Sequence, residues 1–321
     1  MKSILFVGHG SRLAAGNEEI QRFVDKIRPD LEDQFLVETC FLELSRPSIP
    51  EGIEACIQKG AKEVYVVPII LLHAGHSKLH IPAEIQDAIE KYPDVKFTYG
   101  ETISVHPQVF DILIDRLQEV GIDTSAQHDD TAILLIGRGG SDAEANSDFY
   151  KITRLLWEKL QVKWIESAFM GVTKPRVDEG IKRCIQLGAK KVIMLPYFLF
   201  TGVLMERMDK MLQQYSEQYP EHEFVLAKYF GYHPTLQEIL KQRAMDAVEG
   251  RSTGERDMEK YRAYVAEHGP IHRHCFDCHV RCHTPERCYN CPHAHDDHHH
   301  DHDHEHHHHS HAHDGKVEHT T

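Results

Sequence analysis

Residues 51–68 read EGIEACIQKGAKEVYVVP, and residues 179–196 read EGIKRCIQLGAKKVIMLP. Both stretches have Glu-Gly-Ile at their start, Gly-Ala-Lys in the middle and proline at their end, at the same spacing. Further matched pairs lie on both sides of them: Phe41 with Phe169, Pro47 with Pro175, Tyr92-Pro93 with Tyr219-Pro220, and His106-Pro107 with His233-Pro234. Self-similarity of this extent indicates that the body of the chain arose by internal duplication.

Each half of the duplication alternates short apolar runs with amphipathic segments. Ser3–Val7 and Thr131–Ile136 are apolar runs that end at glycine, as is typical of buried parallel strands. Asn17 is of a residue type that caps helices, so we expect it to begin the first helix. Strands that alternate with helices predict a parallel sheet covered on both faces. The sequence therefore predicts an α/β protein of two similar lobes facing each other across a cleft, residues 1–125 and 126–248.

The two copies differ at the ends of three predicted strands, which is where parallel sheets bind ligands. The first copy has His9, Glu43 and His76 after its first, second and third strands. The second copy has a cation, no side chain and an aliphatic side chain in their places: Arg138, Gly171 and Leu204. Neutral imidazole binds borderline divalent metals and also accepts protons. The difference predicts a catalytic site in the first lobe alone, in which His9 and His76 bind a metal and Glu43 accepts protons or completes the ligation of the metal.

Other polar residues border the same loops. His73 and His80 lie on either side of His76 and are further candidates for metal contact, although loop histidines without a ligand are common. Three cations in these loops are either solvated surface charges or ligands of substrate carboxylates: Arg12, Arg46 and Lys78.

Composition and motifs exclude several functional classes. A formal net charge of −14 disfavours nucleic acid or an anionic membrane as the main partner. No apolar stretch approaches the roughly 18 residues of a membrane span, and the short first run lacks a signal-peptide cleavage site, so a cytoplasmic protein is expected. The sequence lacks the glycine-rich nucleotide-binding motifs, and Ser11 is not in a G-x-S-x-G elbow, so no nucleotide cofactor is expected.

Residues 249–292 are interpreted as a linker followed by a cysteine-rich segment. Five cysteines follow the spacing C-x2-C-x3-C-x5-C-x2-C: Cys275, Cys278, Cys282, Cys288 and Cys291. In a reducing compartment such a cluster indicates metal ligation rather than disulfides. Four of these thiolates suit a tetrahedral zinc site as well as an iron–sulfur cluster, and the spacing does not identify the four.

Residues 293–321 consist largely of histidine and acidic residues, and nineteen of the 27 histidines lie at or after His268. A segment with so little apolar surface is expected to be disordered. A purification tag is one interpretation, but the interleaved acids and the residues after His313 favour loose binding of Co²⁺, Ni²⁺ or Zn²⁺, for storage or delivery. We therefore expect a truncation after Val248 to leave the body active.

Several of these segments resemble one known family. They are Gly8-His9-Gly10-Ser11-Arg12, Phe41-Leu42-Glu43, residues 68–82 (PIILLHAGHSKLHIP) and residues 196–203 (PYFLFTGV). Together they closely resemble the CbiX/SirB sirohydrochlorin chelatases, across the whole duplicated body. The resemblance implies a bilobal chelatase fold in which His9 and His76 bind the incoming metal. Short archaeal members have one lobe and dimerise, so a fused pair of lobes is compatible with a monomer.

The resemblance also implies a reaction: insertion of a divalent metal into a sirohydrochlorin-type tetrapyrrole, without nucleotide and with release of two protons. Long CbiX cobaltochelatases carry a His-rich C-terminus and an iron–sulfur centre, which SirB ferrochelatases generally lack. The C-terminal segment therefore favours Co²⁺ and cobalamin biosynthesis, with Fe²⁺ or Ni²⁺ as alternative metals, and favours a 4Fe–4S cluster over zinc. Two rival functions remain, a ferrochelatase for sirohaem and a non-enzymatic metal store or metallochaperone. The second rival does not explain why the two lobes differ at His9, Glu43 and His76.

Overall fold

The computed structural model describes residues 1–271. The five clustered cysteines and residues 293–321 lie outside the described residues. The predictions of a cysteine-bound metal centre and of a disordered, metal-binding tail therefore rest on the sequence alone.

Two four-stranded parallel sheets form the body. The first contains β1 (Lys2–Gly8), β2 (Leu36–Phe41), β3 (Glu63–Ile69) and β4 (Lys96–Tyr99), in the order β2-β1-β3-β4. The second contains β5 (His128–Gly137), β6 (Val162–Phe169), β7 (Lys191–Pro196) and β8 (Glu223–Leu226), in the matching order β6-β5-β7-β8. The equal strand order confirms the prediction of an α/β body made of two similar lobes.

Helices cover both faces of each sheet. In chain order they are α1 (Ala14–Ile27), α2 (Ile49–Gln58), α3 (Ile81–Lys91), α4 (Val109–Glu119), α5 (Ala143–Trp157), α6 (Val177–Gln186), α7 (Val203–Gln218), α8 (Pro234–Val248) and α9 (Gly254–His268). A π-helical turn, His76–His80, precedes α3.

Each strand sends alternate side chains into two different cores, because successive strand residues point to opposite faces. In β1, Leu5 and Val7 pack in an outer core with residues of α2, α3 and α9. Ile4 and Phe6 instead enter an inner core that also contains Ile133 of β5. The inner core is therefore shared by both lobes, whereas each sheet has its own outer core.

The lobes also exchange their last helices. Helix α4 follows the first sheet in sequence but packs against β7, and α8 follows the second sheet but packs against β3 and β4. On α4, the largely buried Arg116 donates from Nε to the carbonyl of Tyr229 at 2.8 Å and from Nη2 to that of Phe230 at 2.6 Å. These bonds satisfy second-lobe backbone groups with a first-lobe side chain, so neither lobe is a complete packing unit.

The start of α1 differs from the sequence-based prediction. The helix begins at Ala14, so Asn17 lies inside it and the prediction of Asn17 as the N-cap is wrong. The Asn17 amide instead accepts from the Ser11 backbone N–H and donates to the Ser11 carbonyl, both at 2.8 Å. An amide side chain both donates and accepts, so here it closes the loop between β1 and α1.

Helix α9 belongs to the packed body, although its residues fall in the segment interpreted as a linker. Met258 and Tyr261 are buried, and Met258 joins the outer core of the first lobe. A Cβ at Gly254 would overlap the carbonyl of Tyr99, so glycine permits the close approach of this helix to β4. Within residues 1–271, no helix combines the length and apolar character needed to cross a membrane.

The packing of α9 changes the expectation for a truncated chain. Removal of everything after Val248 deletes two buried side chains and exposes their partners in the outer core. We expect this truncation to lose about 3 kcal/mol or more of stability, and several degrees of melting temperature. A truncation after Gly269 keeps α9 and should melt like the full chain. Differential scanning calorimetry in a metal chelator tests this, and equal melting of both truncations would contradict it.

Candidate metal and catalytic site

Three loops meet at the carboxyl edge of the first sheet, and each carries one of the residues that distinguish the two copies. His9 follows β1, Glu43 follows β2, and His76 opens the π-helical turn after β3. The backbone hydrogen bonds between β1 and β2 continue into the loops that follow these strands. Leu42 N–H donates to Gly8 O at 2.9 Å, and Glu43 N–H donates to His9 O at 3.1 Å. His9 and Glu43 are thereby held as neighbours by backbone bonds.

Gly10 permits this approach of the two loops. Its φ is +92°, a conformation that glycine adopts without steric cost. A Cβ at this position would overlap the carbonyl oxygen of Glu43. The glycine therefore makes possible the short separation between the His9 loop and the Glu43 loop.

The three side chains form a compact set of metal-ligand atoms. One ligand atom from each of His9, Glu43 and His76 lies within 4.8 Å of the others. His9 Nδ1 is 3.6 Å from Glu43 Oε1, and the two imidazole rings meet edge to face with centroids 4.9 Å apart. Within residues 1–271, no second group of three such ligands lies this close. The structure thus brings together the three residues predicted to be catalytic, of which His9 and His76 are predicted to bind metal, and their roles stay predictions.

The surroundings of His9 favour its neutral, ligating form. Burial lowers the pKa of His9, and the nearby Arg138 guanidinium lowers the pKa further, against opposing effects of Glu43 and the Gly10 carbonyl. A lowered pKa means that the imidazole is uncharged at neutral pH. Neutral imidazole is the form that binds a divalent cation.

The second lobe repeats the backbone of this site without the three candidate ligands. Gly171 N–H donates to the carbonyl of Arg138 at 2.9 Å, as Glu43 N–H does to that of His9. Gly139 has a φ of +79°, and a Cβ there would overlap the carbonyl of Gly171. The loop conformation is therefore a property of the duplicated scaffold, whereas the candidate ligands belong to the first lobe.

The other two candidate histidines have different surroundings. The His80 ring lies 5.0 Å from that of His76, centroid to centroid, but outside the set of ligand atoms. His73 Nδ1 lies 3.1 Å from the Ser77 hydroxyl, and His73 Nε2 lies 3.3 Å from Asp257 on α9. His73 therefore joins α9 to the loop that carries His76.

The three candidate substrate-binding cations have different surroundings. Lys78 crosses to the second lobe, where its Nζ donates to Asp142 at 2.8 Å and to Glu144 at 2.7 Å. Arg46 pairs with Glu51 at the start of α2, and Arg12 is exposed. Burial raises the pKa of Asp142, but hydrogen bonds from Lys78 and the Ala145 N–H outweigh burial and lower the pKa overall.

Two residues at the site had no role in the sequence-based prediction. Arg138 donates to His9 Nε2 at 2.9 Å from the opposite lobe. The alignment of the two copies pointed to Arg138 only as a replacement for His9. Asp257 lies in a charged helix without a motif, so no sequence signal linked it to His73.

A family model described as CbiX matches residues 3–120 and residues 132–247. The chain belongs to the CbiX family. The matched ranges contain both sheets and the helices α1 to α8, apart from the first residue of β1, residues 128–131 of β5 and the last residue of α8. Helix α9 follows the matched part of this CbiX chain.

Curated relatives include both cobalt and iron chelatases. The sirohydrochlorin cobaltochelatase of Priestia megaterium is 54% identical over 268 residues, which cover 84% of this CbiX chain and 87% of the relative. The sirohydrochlorin ferrochelatase of the same species is 39% identical over 243 residues, covering 76% and 89% of the two chains. The similarity to both therefore extends over most of each protein.

Solved structures agree with this fold assignment. The sirohydrochlorin chelatase SirB of Bacillus subtilis subspecies spizizenii, in complex with cobalt, superposes with a TM-score of 0.64 at 30% identity, over 78% of this chain and 96% of SirB. SirB from Bacillus subtilis with Fe³⁺ gives a TM-score of 0.67 at 30% identity, over 79% and 98%. The fold of the CbiX body is thus that of the SirB chelatases.

The contacts of Lys78 allow a test of its role. If the Lys78–Asp142 ion pair stabilises the contact between the lobes, its coupling free energy should be about 1 kcal/mol. A double-mutant cycle of Lys78→Gln and Asp142→Asn, measured by urea unfolding, gives this value. Asn keeps the hydrogen bond that Asp142 accepts from Ala145 N–H. Because the folded-state pKa of Asp142 is lowered, the coupling should be present above about pH 4 and disappear as pH falls below that value. Additive effects of the two substitutions on the free energy of unfolding at neutral pH would refute a stabilising ion pair.

Proposed function

We propose that this chain inserts Co²⁺ into sirohydrochlorin without a nucleotide, as a class II chelatase of cobalamin biosynthesis. The observation that carries the proposal is the set of ligand atoms from His9, Glu43 and His76 within 4.8 Å of one another. These residues occur in a body that is 54% identical to a sirohydrochlorin cobaltochelatase. The second lobe has the same backbone loops and none of the three ligands, which supports one active site for each chain.

The ligand set suits the substrate metal. Two imidazoles and one carboxylate are borderline and hard donors that bind Co²⁺, Fe²⁺ and Ni²⁺. Three protein ligands leave coordination positions on the metal for the nitrogen atoms of a macrocycle. A metal held this way can be transferred, because each new bond to the macrocycle can replace a bond to the protein.

Metal insertion also requires a proton acceptor, since two pyrrole N–H protons leave for each M²⁺ that enters. Glu43 is partly buried and lies 3.6 Å from His9, so its carboxylate can accept a proton and pass it towards solvent. A macrocycle bent out of plane would expose its nitrogen lone pairs to the metal. In this proposal His9 and His76 bind the metal, and Glu43 completes its ligation and accepts the protons that leave the macrocycle.

Cobalt is proposed over iron on two grounds. The identity to the Priestia megaterium cobaltochelatase is 54%, against 39% to the ferrochelatase of the same species. The sequence also carries the His-rich segment and the cysteine cluster that the resemblance associates with long cobaltochelatases. Iron insertion for sirohaem is the alternative function, because the chain is similar over most of its length to a ferrochelatase as well as to a cobaltochelatase.

The C-terminal segment is proposed to have two metal functions. Four of the five clustered cysteines would bind a 4Fe–4S cluster, and the His-rich residues would bind Co²⁺ loosely for storage or delivery. Iron and acid-labile sulfide analysis of the anaerobically purified chain tests the cluster, and zinc without sulfide would contradict it. We also propose that the protein is a monomer, since one chain contains both lobes, and that it is cytoplasmic.

The decisive assay follows sirohydrochlorin absorbance under anaerobic conditions, with Co²⁺ or Fe²⁺ at equal free concentration and no nucleotide. We expect insertion above the uncatalysed rate, and faster with Co²⁺. Faster insertion of Fe²⁺ would keep the chelatase and overturn the cobalt assignment. No acceleration with either metal by a folded, metal-loaded protein would refute the enzyme and favour metal storage.

Substitutions test the three proposed active-site residues in the same assay. His9→Ala and His76→Ala should each lower kcat/KM at least about a hundredfold, because each removes a metal ligand. Glu43→Gln keeps the shape of the side chain and should cost roughly a hundredfold through loss of the proton acceptor. His128→Ala, which removes a histidine at the start of β5, is the matched control and should retain activity. Normal turnover in a His9 or His76 variant would remove that residue from the mechanism.

A further inference from the structure

Arg138 lies at the second-lobe position that matches His9, and its side chain contacts that histidine of the first lobe. Its Nη1 is 2.9 Å from His9 Nε2. A guanidinium is permanently charged and can only donate, so His9 Nε2 must accept through its lone pair. His9 Nδ1 then carries the ring proton, and it lies 3.2 Å from the carbonyl oxygen of Gly10.

This arrangement selects Nε2 as the metal-binding nitrogen of His9. Metal-bound histidines commonly donate their other N–H to a backbone carbonyl or carboxylate, as His9 Nδ1 is placed to do with Gly10 O. The lone pair of Nε2 cannot accept from Arg138 and bind a metal at the same time. The guanidinium charge also repels a divalent cation at this distance. A metal can therefore bind His9 only after Arg138 has moved.

The charge of Arg138 is available to an incoming anion. Its side chain is exposed, and among residues 1–271 no carboxylate lies within ion-pair distance of it. Lys78 differs in this respect, because Asp142 and Glu144 already hold its ammonium group. A tetrapyrrole that carries acetate and propionate groups would bring carboxylates into the cleft, and a charge-assisted bond to one of them is stronger than a bond to neutral imidazole.

We propose that Arg138 blocks the metal-binding nitrogen of His9 in the empty site and is drawn away by a tetrapyrrole carboxylate. The second lobe would thereby couple tetrapyrrole binding to metal binding. The metal would bind His9 when a tetrapyrrole is already bound. The tetrapyrrole half of this inference rests on the proposed function. The blocking contact itself depends only on Arg138 and His9.

Steady-state kinetics on the full chain test the coupling, with free Co²⁺ set by a metal buffer so that binding to the His-rich tail does not matter. Arg138→Gln should lower the KM for Co²⁺ severalfold, because the cation no longer blocks His9. The same variant should raise the KM for sirohydrochlorin roughly tenfold, because a charged partner of its carboxylates is lost. Arg138→Lys should recover most of the sirohydrochlorin KM, since it keeps a positive charge.

The matched control is Arg183→Gln on the outer helix α6, which removes one second-lobe charge and should leave both KM values unchanged. The two KM shifts of opposite sign distinguish the proposal from a structural role of Arg138. Loss of a structural role would raise both KM values together. Unchanged KM values, or shifts in the same direction, in Arg138→Gln would overturn the coupling.

Chemical modification tests the blocking contact without tetrapyrrole or turnover. Diethyl pyrocarbonate acylates an imidazole nitrogen whose lone pair is accessible, and the tryptic peptide of residues 3–12, SILFVGHGSR, contains His9 as its only histidine. Mass spectrometry should show faster carbethoxylation of this peptide in Arg138→Gln than in the wild type or in Arg183→Gln. Equal rates would refute the contact. A wild type that inserts no metal would count against the proposed function, and the modification rates would still test the contact.

Discussion

Strand β1 pairs in parallel with β2 on one side and with β3 on the other, and Gly8 lies opposite both Phe41 and Ile69. Parallel pairing places the carboxyl ends of all three strands at one edge of the sheet. The loops that follow these ends come from positions far apart in the chain, yet they must start as neighbours. The close contact at Gly10 then brings two of the loops together, and the separation of His9 from Glu43 follows from that contact.

Duplication separates the scaffold from the chemistry. Both lobes keep the strand order, the backbone bonds between their first two loops, and a glycine with positive φ at the contact. The second lobe lacks the three candidate ligands but contributes Arg138 and Asp142, which contact His9 and Lys78 of the first. The exchange of α4 and α8 and the shared inner core connect the lobes. The candidate site is therefore part of one folded unit, in which the second lobe supplies charged side chains to the first.

Helix α9 extends this unit beyond the residues matched by the family model. Its apolar side packs in the outer core of the first lobe, and Asp257 contacts His73 three residues before His76. The segment that leads to the clustered cysteines thus begins from a helix that touches a loop of the proposed metal site. Helix α9 is therefore part of the same packed body as the loop of His76.

The sequence alone determined the duplication, the two α/β lobes and the set of three residues that the structure brings together, His9, Glu43 and His76, because repeat spacing, apolar periodicity and differences between copies are all properties of residue order. It was misleading at Asn17, where the polar side chain bonds to the Ser11 backbone instead of capping α1. Only the tertiary structure decided the helix exchange, the packing of α9, and the contacts of Lys78 and Arg138 between the two lobes. These depend on which surfaces meet after folding, and an exposed cation has the same appearance in sequence whether it faces solvent, a carboxylate or the lone pair of a histidine.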